Sequence, residues 1–344
     1  MDYLTLLGHV ISGRITLESE IRPQPRLYTV NLGESADARK STSIDKPSDF
    51  FCETLGVRAI NPVLGVGSAE GLVEAFRKTP RVILILDELK ALVQKMRIDA
   101  SVLLPCVNTL FEKNSYQNYT KNHPIAIDNA ELCLLAASTL ETYRNMFTPQ
   151  FLEIGFINRL FIVVGDGQKK FPIPKPVPEN EKESLRQDLH DVLQFVGELS
   201  ANGRYAIPID PQADKIFAAW YFGLEQSVFT KRLDTYGHRL MPLLAVNEMK
   251  DRITAEIAQR TVALLNYQLA ARKFADPINA DNRIAKLEER IRRLLAGGPM
   301  LKRVLERHGN KSRAGTWAWK AALKGLDEEI AYDAKTKIYS QRSE

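Results

Sequence analysis

Histidine and cysteine are scarce in this chain: five and three among 344 residues. Cys52, Cys106 and Cys133 are scattered and odd in number, with no metal-ligand spacing, so they read as buried thiols of a reducing, cytoplasmic protein. No Ser–His–Asp or Cys–His pairing is visible, and His238 and His308 read as core or surface residues rather than catalytic bases. Long apolar runs are missing as well. None reaches the roughly 18 residues that a spanning helix needs, so no membrane partner is expected. The opening MDYLTLLGHVISGRI lacks a basic leader and a small-residue cleavage site and reads as an amphipathic helix.

What is present is an uneven charge. The net charge is +5, yet residues 283–344 hold 15 Lys or Arg against 8 Asp or Glu, a net +7. A basic C-terminal module on a near-neutral body suggests an anionic partner, nucleic acid first. A solvated basic helix is the plain alternative.

Short apolar runs alternate with helical spacing. LYTVNL (27–32), RVILIL (81–86), LCLLAAS (132–138) and RLFIVVGD (159–166) read as buried strands. EGLVEAFRK (70–78) and VLLPCVNTLFEK (102–113) read as helices. Buried strands separated by helices predict an α/β core with a parallel sheet. YQNYTKNHPIAID (116–128) alternates around Asn122-His123-Pro124 and predicts a hairpin. GQKKFPIPKPVPENEKE (167–183) is a linker, the chain is helical from about 182 to 274, and DPINADNR (276–283) is a second break. The last block predicts helices over 284–295, 299–308 and 316–326, then a two-stranded element around Ala334–Thr336.

LGESADARKSTSID (32–45) follows the first strand as a phosphate cradle should. In such a cradle a tight turn points backbone N–H groups at the phosphates, a lysine reaches the terminal phosphates, and a hydroxyl ligates magnesium. The standard glycine spacing is absent in either frame. A loop one residue longer resolves this: Gly33 makes the turn, Ser35 lies in the cradle, Arg39 adds a cation, Lys40 meets the phosphates and Ser41, next to Thr42, holds the metal. A basic surface turn is the competing reading. Asp87-Glu88 ends the ILILDE strand, where an Asp can hold the magnesium shell through water and a Glu can polarise the attacking water. Together these motifs predict a P-loop NTPase using ATP and Mg2+.

GESADARKSTS resembles the arginine-lysine variant loop of the ATPase domains in phage and plasmid primase–helicase proteins, near the MCM-like branch of AAA+ ATPases. GVGSAEGLVEAF (65–76) resembles a Ser-x-Glu-Gly-Leu element of the former. LCLLAAST resembles the sensor-1 strand, with Ser138 or Thr139 as the polar sensor. GFINRLFIVVGD (155–166) is similar to the MCM stretch whose arginine reaches a neighbouring subunit's ATP, here Arg159. RLDTYGHRL (232–240) resembles the start of the lid helix that bears the sensor-2 arginine, a role Arg232 and Arg239 both fit. The tail resembles a winged helix.

The resemblance implies an AAA+-like P-loop core over 1–178, a helical lid over 179–276 and a winged-helix DNA-binding domain over 283–344. It implies a homo-oligomeric ring, a hexamer first, that drives DNA as a helicase or translocase of a phage, plasmid or other mobile element, with a separate primase as a further candidate partner. The loop lacks its usual second glycine, and no primase or zinc module precedes the core, so priming is not expected. A DNA-bound switch without unwinding, or a catalytically dead DNA-binding scaffold, stays open. In MCM-like ATPases a hairpin at the position of 116–128 lines the pore, which would put Lys121, with Tyr116 and Tyr119, against DNA; an ordinary surface hairpin is the alternative. In the last block, Ser312 or Thr316 caps a recognition-type helix. Lys311, Arg313 and Lys320 flank its exposed side, and Trp317, Ala321 and Leu323–Leu326 its buried side.

Overall fold

The apolar runs become neighbouring strands. A computed structural model describes residues 1–33, 40–98, 101–119, 125–147, 151, 154–165, 175–276 and 283–342, without the side chains of residues 283, 285, 286 and 313. The strands are β1 (Ile15–Leu17), β2 (Tyr28–Gly33), β3 (Pro62–Val63), β4 (Arg81–Leu86), β5 (Tyr116–Asn118), β6 (Ile125–Ile127), β7 (Glu131–Thr139), β8 (Phe161–Val164) and β9 (Tyr205–Ile207). Between them run α1 (Asp2–Val10), α2 (Lys40–Leu55), α3 (Val57–Ile60), α4 (Ala69–Lys78), α5 (Leu89–Met96), α6 (Leu103–Glu112) and α7 (Leu140–Met146). The helical stretch holds α8 (Glu179–Leu199), α9 (Pro211–Phe222), α10 (Leu233–Asn247) and α11 (Ala255–Ala275).

Five strands form a parallel sheet in the order β3-β4-β7-β2-β8. The fold is therefore α/β, compatible with a Rossmann-like or P-loop architecture. All six residues of β2 and eight of the nine in β7 are buried. A strand covered on both faces cannot alternate, and this is why its sequence is a near-continuous apolar run. β8 is an edge strand, and a glutamine from α11 does the work of a neighbour. Gln268 accepts from the Ile162 N–H at 2.9 Å and donates to the Leu160 carbonyl at 3.1 Å. The Tyr267 hydroxyl accepts from the Val164 N–H at 2.8 Å. These bonds satisfy an edge that would otherwise template unwanted pairing.

Residues 1–276 form one unit, and a single apolar core runs from Leu6 to Ala275. Two contacts the sequence does not announce weave the helical stretch into it. β1 pairs in parallel with β9, 190 positions away at Ile15↔Tyr205, and α10 packs on β1. Arg239 in α10 donates to the Arg26 and Phe111 carbonyls and lies over the Phe111 ring at 3.9 Å.

α1 is a helix, but an enclosed one rather than an amphipathic one: seven of its nine residues are buried. Gly8 is required there, because a Cβ would lie 2.1 Å from the Pro25 carbonyl oxygen. His9 sets a pH dependence. Its Nε2 donates to the Ile60 carbonyl at 2.7 Å, and its Nδ1 has no partner among the described residues. Burial, aided by the nearby Arg81 charge, lowers its pKa from 6.5 to about 4, against the weaker pull of the Ile60 bond. The folded state thus binds the proton less well than the unfolded chain. Stability from this group is complete above pH 6.5 and falls as pH drops toward 4, by about 3 kcal/mol when fully developed. Urea melts from pH 7 to 4 are expected to show this loss, and His9→Gln is expected to flatten it.

The second unit, Pro277–Glu344, begins within the DPINADNR break. It contains α12 (Arg283–Ala296), β10 (Met300–Leu301), α13 (Lys302–His308), α14 (Lys311–Ala314), α15 (Thr316–Gly325), β11 (Ile330–Asp333) and β12 (Ile338–Gln341). The strands form an antiparallel sheet, β10-β12-β11. Leu287, Ile291 and Leu295, spaced by four on α12, meet Leu305, Trp319, Leu326 and Ile330 in a separate core. The expected helix over 299–308 starts only at Lys302, since Met300 and Leu301 pair with Tyr339 and Ile338.

Two details of α15 depart from expectation. Its N-cap is Gly315 at φ 84°, with no side-chain cap, so neither Ser312 nor Thr316 fills that role. Trp317 is 77% exposed, while Trp319 is 2% exposed. Residues two apart point to nearly opposite sides of a helix, so only one of the two indoles can enter the core. The buried set is Ala318, Trp319 and Ala322.

Candidate functional site

The carboxyl ends of β4, β7 and β2 lie side by side, since Leu86 pairs with Ala136, Leu32 with Ser138 and Gly33 with Thr139. β7 comes later in the chain than both strands it separates, so the strand order reverses here, the place where open α/β sheets hold ligands. Ser138 and Thr139 form the end of β7, and just beyond the strand ends stand Asp87, Glu88 and the first turn of α2 with Lys40, Ser41 and Thr42.

Asn31, with Thr29 one of two buried polar residues of β2, fixes the approach of α2. Its Nδ2 lies 2.9 Å from the Ser43 hydroxyl and 2.7 Å from the Asp2 carboxylate. The Ser43 hydroxyl donates to the Lys40 carbonyl at 2.7 Å. Strand, loop exit and N-terminal helix are thereby tied together. Ser41 and Thr42 are exposed in that first turn. Burial raises the pKa of Asp45, further along α2, as do the negative charges of Asp87 and then Asp49. α2 therefore brings its carboxyl within electrostatic range of the β4 end. Ser35 and Arg39 lie outside the described residues.

Glu88 is exposed at the start of α5 and caps it, accepting from the Lys90 N–H at 3.3 Å. The same oxygen accepts from the Ser138 hydroxyl at 2.8 Å. Thr139 is used differently. Its hydroxyl caps α7, accepting from the Thr142 N–H at 3.0 Å. Of the two candidate sensors, Ser138 is thus the one that touches the acidic pair. Asp87 is exposed beside it. Among the described residues no group of three His, Cys, Asp or Glu is placed to hold a metal. The resemblance to a Ser-x-Glu-Gly-Leu element falls on a helix start, where Ser68 caps α4 through the Gly71 N–H at 3.3 Å.

Arg159 is not in this cluster. It lies in a 3-10 turn, Ile157–Arg159, at the amino end of β8. Thr29 pairs with Phe161, so Gly33 is four residues, or more than about 13 Å of strand, further on. Only 8% exposed, Arg159 donates to the Gly155 carbonyl at 2.9 Å and the Ile154 carbonyl at 3.2 Å, and pairs with Glu112 at 3.4 Å. It lines a cleft of 290 Å³ with Pro105, Asn108, Glu112, Lys113 and Ile154. Arg232, left-handed at φ 62° ahead of α10, donates to the same Glu112 oxygen. Of the two sensor-2 candidates, Arg232 keeps a partly exposed guanidinium. Arg239 is 2% exposed, and burial lowers its pKa to about 9.

Lys121 lies outside the described residues, in the sequence between the antiparallel pair β5 and β6. Tyr119 is exposed and Tyr116 half-buried. Lys311 pairs with Glu306 at 2.8 Å, Lys320 is exposed, and the side chain of Arg313 is outside the description. Cys106 and Cys133 are buried, which pushes both thiols up to about 12, so they are poor nucleophiles.

Asn31, Asp45 and Glu112 were not singled out by the motifs. A polar residue inside the LYTVNL run was a readable signal for Asn31. Nothing in the sequence marks Glu112, at the end of α6, as the partner of two distant arginines. No protein-family profile matches the chain, and no curated protein is significantly similar to it.

Proposed function

We propose that this chain is an ATPase of the AAA+ type, built on a P-loop core, that acts on DNA as a ring. The observation that carries this reading is the Ser138–Glu88 hydrogen bond at 2.8 Å, formed beside the junction of β2 and α2. It puts a strand-end carboxylate, a polar side chain of the adjoining strand and a lysine at a helix start at one end of one parallel sheet. That set suits phosphoryl transfer to water. Lys40 would meet the phosphates, with Arg39, Ser35 and Gly33 around them. Ser41 and Asp87 would hold the magnesium, directly and through water, and the ion would neutralise charge on the phosphate oxygens. Glu88 would accept a proton from the attacking water.

Arg159 lies too far along the sheet to serve its own chain's phosphates. It supports a site completed by a neighbouring copy, and hence a closed homo-oligomer. In the second unit, helix, strand, two short helices, helix and two strands follow one another in an order that supports a winged helix, with α15 as its nucleic-acid-facing helix. Its basic balance supports DNA as the partner.

The test is ATP turnover by the full chain, with and without single-stranded DNA, beside Lys40→Ala. DNA-stimulated turnover abolished in Lys40→Ala is expected. Stimulation without strand separation in an unwinding assay would favour a DNA-bound switch. No turnover and no ATP binding would leave a DNA-binding scaffold.

A further inference from the structure

We propose that the exposed face of α15 binds single-stranded nucleic acid, with the Trp317 indole as a stacking platform for an unpaired base and Lys320 and Lys324 as phosphate contacts. This rests on the reading that the chain acts on DNA, and it names which form of nucleic acid the second unit takes. Trp317, Lys320 and Lys324 sit at i, i+3 and i+7, so they share one side of the helix. All three are exposed, opposite the buried set of Ala318, Trp319 and Ala322. α15 contains no acidic residue, and its unit is strongly basic.

The indole decides between duplex and single strand. Trp317 is 77% exposed, a large apolar ring in water at the start of the helix, with both lysines following it on the same side. Polar or small side chains would serve a helix that reads base edges in a groove. In a duplex the base faces are already stacked on one another, and an indole laid in the groove meets only edges. A single strand offers the faces themselves, and an aromatic side chain followed along the helix by cations that can track the backbone is the arrangement that accepts them.

The experiment is fluorescence anisotropy of a labelled oligothymidylate and of a labelled blunt duplex with the full chain, without nucleotide. Wild type is expected to prefer the single strand. Trp317→Ala is expected to weaken single-strand binding roughly tenfold or more while changing duplex binding little, and Trp317→Phe to restore most of the loss. Lys320→Gln with Lys324→Gln is expected to lower the salt slope of single-strand binding by about 1.4, two phosphates' worth. Equal binding by wild type, Trp317→Ala and Trp317→Phe would overturn the proposal, as would a preference for duplex. Binding of neither ligand would also overturn it and leave the face as a protein dock. ATP turnover is not read here, so a failed ATPase assignment and a failed stacking assignment give different patterns.

Discussion

Glu88→Gln is expected to keep magnesium–ATP binding within a few-fold of wild type and to slow single-turnover hydrolysis by about 10²-fold or more. The glutamate stands just past the end of β4, where a strand with five of its six residues buried gives way to solvent. Its Oε1 is engaged by the Ser138 hydroxyl and the Lys90 N–H. Those two bonds fix the carboxylate's direction and leave Oε2 to face a water. Glutamine has the same shape and still accepts from Ser138, so geometry and binding are preserved. It cannot take a proton. A loss confined to the chemical step therefore identifies Glu88 as the group that activates water. A loss of binding alone would make it a structural cap of α5. A fluorescent nucleotide titration beside a quenched-flow time course separates the two.

Arg159→Ala and Lys40→Ala are each expected to lose turnover by about 10³-fold or more, and their mixture is expected to regain part of it. Arg159 lies at the far end of the sheet from its own Lys40, so under the proposed ring the site it would serve is that of another copy. In a mixed ring, a subunit with an intact Lys40 receives the intact Arg159 of its Lys40→Ala neighbour. At present that guanidinium is held in its own chain by the Ile154 and Gly155 carbonyls and by Glu112. Arg232 shares the same carboxylate. Acting on a neighbour's phosphate means exchanging Glu112 for a stronger anion, with the backbone bonds of Arg159 keeping it in place. If the mixture stays as inactive as its components while both variants melt like wild type, Arg159 is a structural arginine of the β8 entry.

The main strands and the C-terminal unit were legible because their signals are local. A six-residue run such as RVILIL has few ways to be satisfied other than inside a sheet, and the DPINADNR break marks the boundary between the two units directly. β1 and β9 were not legible. Each is three residues long, and their partners lie far apart in sequence. The two tryptophans of α15 show a finer limit. Periodicity gives a face, but the phase depends on where the helix starts, and Gly315 rather than a hydroxyl residue sets that start. For the candidate site, the residues at strand ends were readable from their motifs. What Ser138, Arg232 and Arg239 touch was not, because each partner comes from another part of the chain. The enclosure of Arg239 by two carbonyls is a property of the packed core and leaves no mark on RLDTYGHRL.

Titration of wild type and Lys40→Ala with a fluorescent ATP analogue, with and without magnesium, tests the nucleotide site most directly. Saturable, magnesium-dependent binding by wild type, weakened about tenfold or more in Lys40→Ala, is expected from loss of a charge-assisted phosphate contact. Equal binding by the two proteins, or none by wild type, would contradict the assignment of the β2–α2 junction as a phosphate site.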